Sequence, residues 1–152
     1  MKKTVFSKKL FSFISSNLLQ LKYLDISCSK CTDSDLEPII NLPNLKDLDI
    51  SWNDNITGLV LFKFTRLKKL ICRRCKNLEN DALKSFLRRA VDLELLDIQY
   101  CPKLKTSVIN IAIAITNGRT NNLTLEIILC PSQVDFKKIK DKSPFLYLIL
   151  RY

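Results

Sequence analysis

Residues 45–53, LKDLDISWN, decide the fold, because variants of this nine-residue block recur along the chain. LKYLDISCS, LKKLICRRC, LELLDIQYC and NLTLEIILC align with it without gaps, and FLYLILRY stops one residue short of the ninth position. Successive starts are 24, 22, 26, 29 and 23 residues apart, a period that predicts a chain of repeated supersecondary units. The blocks start at Leu21, Leu45, Leu67, Leu93, Asn122 and Phe145.

Apolar side chains at the fourth and sixth positions alternate with polar ones, which predicts short strands with one inward face. Between the blocks, helices are predicted from a capping box at Ser34–Glu37, from an N-cap at Asn80, and over residues 108–115 before Gly118. Residues 57–65 lack a cap and are predicted to be irregular. The expected inward residues are Leu24 and Ile26, Leu48 and Ile50, Leu70 and Cys72, Leu96 and Ile98, and Leu125 and Ile127.

The pattern L-x-x-L-x-L-x-x-N/C resembles the cysteine-containing subfamily of leucine-rich repeats, since Asn53, Cys75, Cys101 and Cys130 fill the ninth position. The resemblance implies an α/β solenoid, or horseshoe, of about five to six repeats over residues 21–152. Its concave face would be a parallel sheet, and its convex side would carry helices or irregular turns. Residues 1–20 would form an amphipathic helix that caps the solenoid or remains from a preceding repeat.

The N-terminus is compatible with more than one cellular location. Residues 1–24 contain no acidic residue, and the apolar residues recur at helical spacing. Lys8 and Lys9 interrupt any signal-peptide core, which favours a cytoplasmic or nuclear protein, whereas a mitochondrial presequence is the alternative. No apolar run is long enough for a membrane helix. The helical apolar face would contain Phe6, Leu10, Phe13, Ile14, Leu18 and Leu21.

The composition argues against catalysis and against a metal cofactor. The chain has no histidine and only two glycines, which excludes histidine-dependent catalytic triads and glycine-rich phosphate loops. The pairs Cys28/Cys31 and Cys72/Cys75 imitate a zinc site, but two strand spacings of about 4.8 Å separate the two repeats. We therefore expect reduced structural thiols, no cofactor and no enzyme activity.

The expected concave face carries an acidic row at the fifth position, a partly aromatic row at the eighth and a basic cluster in the third block. Trp, Tyr and Arg are enriched at binding hot spots. The carboxylates could instead serve the fold, the basic cluster could be a solvated face, and either ring could simply pack on a neighbour. The fifth-position residues are Asp25, Asp49, Ile71, Asp97, Glu126 and Ile149, and the eighth-position residues are Cys28, Trp52, Arg74, Tyr100, Leu129 and Tyr152. The predicted partner-binding residues are Trp52, Tyr100, Lys69, Arg73, Arg74, Asp49 and Asp97.

These features predict a non-catalytic protein-protein interaction module with a protein partner on the concave face and no small-molecule substrate. The repeats resemble the substrate-recognition portion of F-box adaptors in ubiquitin ligases, or a fragment of one, although residues 1–20 are too few for an F-box. The alternative is a mitochondrial assembly factor similar to the ATP-synthase coupling factor B family. Nucleic-acid binding is a third interpretation, drawn from the net charge of +10, but the positive charge is scattered.

Overall fold

The computed structural model describes residues 8–139 and 141–151, which form an α/β fold around one open, parallel sheet. The six strands lie side by side in chain order, and each coincides with the middle of a sequence block. The α/β class and the parallel sheet predicted from the repeat are confirmed. The strands are β1 (Tyr23–Asp25), β2 (Asp47–Asp49), β3 (Lys69–Ile71), β4 (Leu95–Asp97), β5 (Leu125–Leu129) and β6 (Leu146–Leu150).

Short helices and 3₁₀ turns connect the strands. Within the described part of the chain the four α-helices are α1 (Lys8–Asn17), α2 (Asp33–Leu36), α3 (Asn80–Leu87) and α4 (Thr106–Asn117). The 3₁₀ turns are Glu37–Asn41, Leu61–Lys63, Pro131–Gln133 and Phe136–Lys138. The helix predicted over residues 108–115 is confirmed by α4, and the irregular segment 57–65 contains only a 3₁₀ turn. Among the described residues, no helix is long and apolar enough to cross a membrane.

The apolar face of α1 differs from the prediction. Phe11 and Ile14, three residues apart, are the buried residues of this helix, whereas Phe13 is 60% exposed and Leu10 and Leu18 are also exposed. α1 packs on α2 and on the 3₁₀ turn that follows it. Residues i and i+3 lie on the same side of a helix, so this pair forms the side of α1 that the contact buries, and the other apolar side chains lie outside it. Phe6 belongs to residues 1–7, which lie outside the described residues.

Two predicted helix caps are also wrong. The capping interaction of α2 uses Thr32 and Asp35 instead of Ser34 and Glu37: the Asp35 carboxylate accepts from the Thr32 backbone N–H at 2.9 Å and from its hydroxyl at 2.7 Å. Asn80 is the first residue of α3, not its cap. Its side chain accepts from Lys105 N at 3.1 Å instead, so the amide joins one return segment to the next.

The inward side chains of all six strands belong to one continuous core, with Leu24, Leu146 and Leu148 at its partly buried margins. Gly58 is required where the second return segment meets α3. Its φ is +92°, and a Cβ atom there would lie 2.7 Å from Leu78 Cδ1. Only glycine combines that backbone conformation with so close an approach.

The alignment of the fifth block is corrected by the strand pairing. Leu96 pairs with Ile127 and Asp97 with Ile128, so the block starts two residues after Asn122, at Thr124. The sixth block keeps its predicted alignment, because Tyr147 pairs with Glu126 and Leu148 with Ile127. A shift of two residues preserves the inward and outward alternation of a strand, which is why the hydrophobic pattern did not reveal it.

Side chains at or beside the ninth position connect the second, third, fourth and fifth blocks to the block before each of them. Asn53 Nδ2 donates to Ile26 O at 2.8 Å, Cys75 Sγ to Ile50 O at 3.2 Å, and Cys101 Sγ to Cys72 O at 2.9 Å. With the fifth block realigned, Cys130 leaves this series. Gln133 takes its place and donates to Ile98 O at 2.9 Å. We call Asn53, Cys75, Cys101 and Gln133 the ladder.

Candidate partner-binding surface

The chain adopts an unusual backbone conformation at the eighth position of the first four blocks. Cys28, Trp52, Arg74 and Tyr100 have φ values of 57°, 62°, 56° and 58°. This left-handed region is normally left to Gly and Asn, and it costs other residues about 1–2 kcal/mol. Four non-glycine residues at equivalent positions form a row along the C-terminal ends of β1 to β4. We call this row the turn row.

The fifth-position aspartates hold these turns. Asp25 Oδ1 accepts from Ser27 N at 2.8 Å, and Asp49 Oδ1 accepts from Ser51 N at the same distance. Asp97 Oδ1 accepts from Gln99 N at 3.2 Å. Such Asx turns satisfy a backbone donor that the strand no longer pairs. The predicted acidic row is therefore part of the turn architecture in these three blocks.

The third block has isoleucine at the fifth position, so it has no aspartate to accept a hydrogen bond from the turn. A side chain of the preceding block accepts this hydrogen bond instead. Arg73 N donates to Ser51 Oγ of the preceding block at 3.1 Å. Ser51 is only 4% exposed, so its hydroxyl is committed to this bond. The left-handed turn at Arg74 is thereby held without an aspartate of its own.

Three residues of the turn row form a stack. The Arg74 guanidinium lies 4.5 Å from the Trp52 ring centroid and 4.5 Å from the Tyr100 ring centroid, so a cation is enclosed between two aromatic faces. Trp52 is 53% exposed and Tyr100 is 43% exposed. Each cation–π contact contributes about 0.5–1 kcal/mol at an exposed site. The structure therefore brings together three of the predicted binding residues in an exposed array, which we call the stack.

Arg74 is also the one cation of the predicted cluster without an acidic partner among the described residues. Lys69 lies 3.6 Å from Asp47, and Arg73 Nε donates to Asp97 Oδ2 at 2.6 Å. In residues 8–139 and 141–151, no carboxylate lies within ion-pair distance of Arg74. Its guanidinium edges, which carry the N–H donors, remain available to an acceptor in solution.

Asp97 is not available to a partner, contrary to its predicted role. Its side chain is 1% exposed, and its two oxygens accept from Arg73 and from the Gln99 backbone. In the strand ladder it lies between Ile71 and Ile128, so the carboxylate is desolvated on both sides. Arg73 covers it, and we expect the loss of either partner to destabilise the sheet, because the other charge would be left unpaired. Asp49 is half-buried and combines its turn contact with some remaining exposure.

The realigned fifth block changes the far end of both predicted rows. Ile128, not Glu126, is the fifth-position residue there, and it is 6% exposed. Glu126 lies exposed beside Leu95, and Leu129 is buried in the core instead of facing outward. The eighth position falls to Pro131, whose ring fixes φ near −65° and excludes the left-handed turn. Tyr152 lies outside the described residues.

Because the turn row ends there, the stack ends at Tyr100 with a depression beyond it. Tyr100, Cys130, Pro131 and Ser132 line this depression, which has a volume of about 440 Å³. Its walls are mostly apolar, and no charged residue contributes to them. Sequence reasoning missed Pro131 and Ser132 as surface residues. The sequence carried no signal for them, because its alignment put Leu129 and not Pro131 at the eighth position.

The outer face of the sheet, which lies opposite the core, changes character across the strands. Asp25, Asp47 and Asp49 gather on β1 and β2 around the exposed Tyr23 ring. Desolvation, followed by the charges of Asp25 and Asp49, raises the pKa of the Tyr23 phenol. On β3 to β5 the corresponding residues are half apolar and half charged: Ile71, Leu95 and Ile128 alternate with Lys69, Asp97 and Glu126. Three carboxylates therefore lie on the Trp52 side of this face, whereas Glu126 is the exposed carboxylate on the Tyr100 side within the described residues.

The cysteines do not gather into a metal site in the described part of the chain. All six are free thiols, and no group of three or more Cys, Asp or Glu side chains there is placed to hold a metal ion. Cys28 is exposed, whereas Cys31 and the ladder thiols are buried. Burial raises the pKa of Cys75 to about 12, and the contact with Cys101 together with burial raises the pKa of Cys72.

A second cavity, of about 210 Å³, lies at the opposite end of the strands. Leu42, Leu45, Phe64 and Leu67 line it, together with the cations Lys63 and Arg66. Its lining has no carboxylate, thiol or imidazole that could exchange a proton or bind a metal ion. None of the residues predicted from the sequence as partner-binding lies there.

Comparison with known proteins adds no assignment to these observations. No protein-family model matches the chain, and no curated protein is significantly similar to it. The function is therefore inferred from the residues themselves, above all from the turn row and its stack.

Proposed function

We propose that this chain is a non-catalytic protein-binding module, built as a solenoid of cysteine-containing leucine-rich repeats. In this proposal the outer face of the sheet is the concave face of a horseshoe, and the stack is the centre of the binding surface. The sequential strand order and the ladder support the repeat assignment, because both link equivalent positions of successive blocks.

The left-handed backbone of the stack residues is the observation that carries the binding proposal. A fold that needed only a turn there would be served better by glycine, yet the positions hold Trp, Arg and Tyr. Strained conformations of this kind concentrate at functional sites. The three residue types are also those enriched at binding hot spots, where large side chains bury much area on association.

Among protein-binding modules, the substrate-recognition repeats of an F-box adaptor in a ubiquitin ligase remain the first candidate. Phe11 and Ile14 of α1 contribute to the core, which favours a permanent structural helix over a cleaved mitochondrial segment. A mitochondrial assembly factor is therefore the second candidate. The stack could also take nucleic-acid bases, but the acidic residues beside Trp52 oppose a phosphate backbone.

The proposal is tested by comparing what the purified chain captures from a cell lysate. Wild-type protein is compared with the double variant Trp52→Ala/Tyr100→Ala, in nuclease-treated extract, with bound proteins identified by mass spectrometry. Because both rings are exposed, we expect circular dichroism to show an intact fold and capture of specific proteins to fall about tenfold or more.

The matched control is Phe13→Ala/Leu59→Ala, which removes two exposed apolar side chains, 60% and 66% exposed, away from the stack. We expect this variant to capture the same proteins as wild type. Equal capture by the stack variant and by wild type would exclude the stack as the binding surface.

A further inference from the structure

We infer that the stack and the depression beside it bind a partner segment in polyproline II conformation. This segment would contain an acidic residue and an apolar residue three positions apart. This inference rests on the proposed function and specifies its ligand. The acidic residue would bind Arg74, and the apolar side chain would fill the depression beyond Tyr100.

The requirement for a carboxylate comes from Arg74. Its ring contacts cover both faces of the guanidinium and leave the edges for hydrogen bonds. Two aromatic faces hold that group in one orientation, which prepares it for two parallel bonds to a carboxylate. The net charge of +10 favours the approach of an acidic segment.

The direction of the segment follows from the charges on either side of the stack. Asp25, Asp47 and Asp49 lie on the side of Trp52 and repel a carboxylate-bearing chain. The side of Tyr100 has one exposed carboxylate on the outer face, Glu126, and holds the mostly apolar depression. The segment therefore extends from Arg74 across Tyr100 towards Pro131, not towards Cys28.

The spacing favours polyproline II over a β-strand. Arg74 follows β3, and the far wall of the depression at Pro131 follows β5, so two strand spacings, about 9.6 Å, separate Arg74 from that wall. In a β-strand, residues on one face are about 6.6 or 13 Å apart, so the first spacing stops short of this wall and the second passes beyond it. In polyproline II, residues i and i+3 share a face about 9.3 Å apart. Aromatic surfaces are a common dock for this conformation.

The test uses the full chain and a synthetic peptide, acetyl-Ser-Glu-Pro-Pro-Leu-Ser-amide, with the reversed order Leu-Pro-Pro-Glu as a second probe. Trp52 is the only tryptophan, so its fluorescence reports occupancy of the stack directly. We expect saturable binding of one of the two orders. Replacing the peptide Glu by Gln should weaken it about tenfold, because a charge-assisted pair is lost.

A double-mutant cycle assigns the carboxylate to Arg74. Arg74→Gln should weaken the Glu peptide about tenfold and bind the Glu and Gln peptides equally. Arg66→Gln, which removes the same charge from an exposed arginine elsewhere, should keep the preference for Glu. If Arg74→Gln still prefers the Glu peptide as wild type does, the assignment of the carboxylate to Arg74 is overturned.

A second cycle tests the depression. Replacing the peptide Leu by Ala should weaken binding about fivefold in wild type, since buried apolar area is lost. Ser132→Phe, which fills the depression, should make the Leu and Ala peptides equal. A peptide with Glu and Leu seven residues apart in an alanine-rich helix is the competing geometry. Tighter binding of that helix than of the proline peptides would exclude the polyproline conformation.

The two proposals fail in different ways. If no peptide binds but the stack variant still loses its lysate partners, the ligand inference is wrong and the protein-binding function stands. If lysate capture is also unchanged, both are wrong.

Discussion

The turns after β1 to β4 differ in backbone conformation from the turn after β5, although all five lie at the same edge of the sheet. The first four hold left-handed residues, and three of those turns are fixed by an aspartate. The turn after β5 has proline at the equivalent position, and its strand is five residues long instead of three. Regular turns build a row of projecting side chains, and the irregular turn ends that row and opens a depression.

The surface at this edge of the sheet therefore depends on the conformation of the turns as much as on the strands. Trp52, Arg74 and Tyr100 meet because three consecutive turns repeat one backbone geometry. The same difference appears in the ladder. Asn53 is completely buried, whereas Gln133 is only half-buried. The two regions should therefore respond differently to equivalent changes.

The largest difference is expected in the ladder. Asn53→Ala removes side-chain bonds to Ile26 O, Ile50 O and Cys31 N in a fully buried site. We expect the free energy of unfolding in urea to fall by about 4 kcal/mol, because buried backbone groups lose their partners. Gln133→Ala also removes three bonds, to Ile98 O, Cys101 O and Cys130 N, but this site is only half-buried. There we expect a loss of about 1–2 kcal/mol.

The m-values of the two ladder variants should equal that of wild type. The difference in midpoint then reports a change in stability and not a change in the surface that unfolding exposes. Equal losses at the two positions would contradict the distinction between a buried regular ladder and a half-buried irregular one.

The next largest effect concerns alkaline pH. Burial raises the pKa of Cys75 from 9.0 to about 12, so the folded chain keeps this proton where the unfolded chain has lost it. Its contribution to stability is complete below pH 9 and is lost as the pH rises towards 12. The free energy of unfolding should fall by at most about 1.4 kcal/mol per pH unit in this window because of this group.

The contribution of Cys75 is isolated by comparing how steeply the free energy of unfolding falls with pH in wild type and in a variant. Cys75→Ala should show a shallower decline of stability between pH 9 and pH 10.5, with a difference of about 2 kcal/mol over that range. Leu78→Ala, another fully buried site, should be less stable than wild type but keep the wild-type slope. Identical slopes for wild type and Cys75→Ala would show that this thiol is not protected by folding.

The smallest effect separates the two kinds of turn. Cys28 is exposed, lies outside the stack and has a left-handed backbone conformation that glycine adopts without strain. We therefore expect Cys28→Gly to raise the free energy of unfolding by about 1 kcal/mol, as measured by thermal unfolding. Ser132→Gly, in the turn after β5 where no positive φ occurs, should lose a few tenths of a kcal/mol through chain entropy. A loss of stability in both variants would mean that the turn row is not strained.

The sequence predicted the strands well because their signal is local. Alternation at the fourth and sixth positions identified buried residues such as Leu70 and Leu96, and it placed Trp52, Arg74 and Tyr100 in one row. It could not align the fifth block, since a two-residue shift leaves alternation unchanged. It also could not reveal that Asp97 is buried, because that follows from Arg73 folding over it from the neighbouring block.

The strand order has a consequence for how such a chain changes over generations. Each strand pairs with its neighbours in sequence, and each ladder side chain reaches back one block. A gene duplication of residues 67–92 would thus insert one more strand and place a second arginine beside Arg74. The same event that lengthens the protein would change the surface proposed to bind a partner, so that this surface and the chain length would be inherited together.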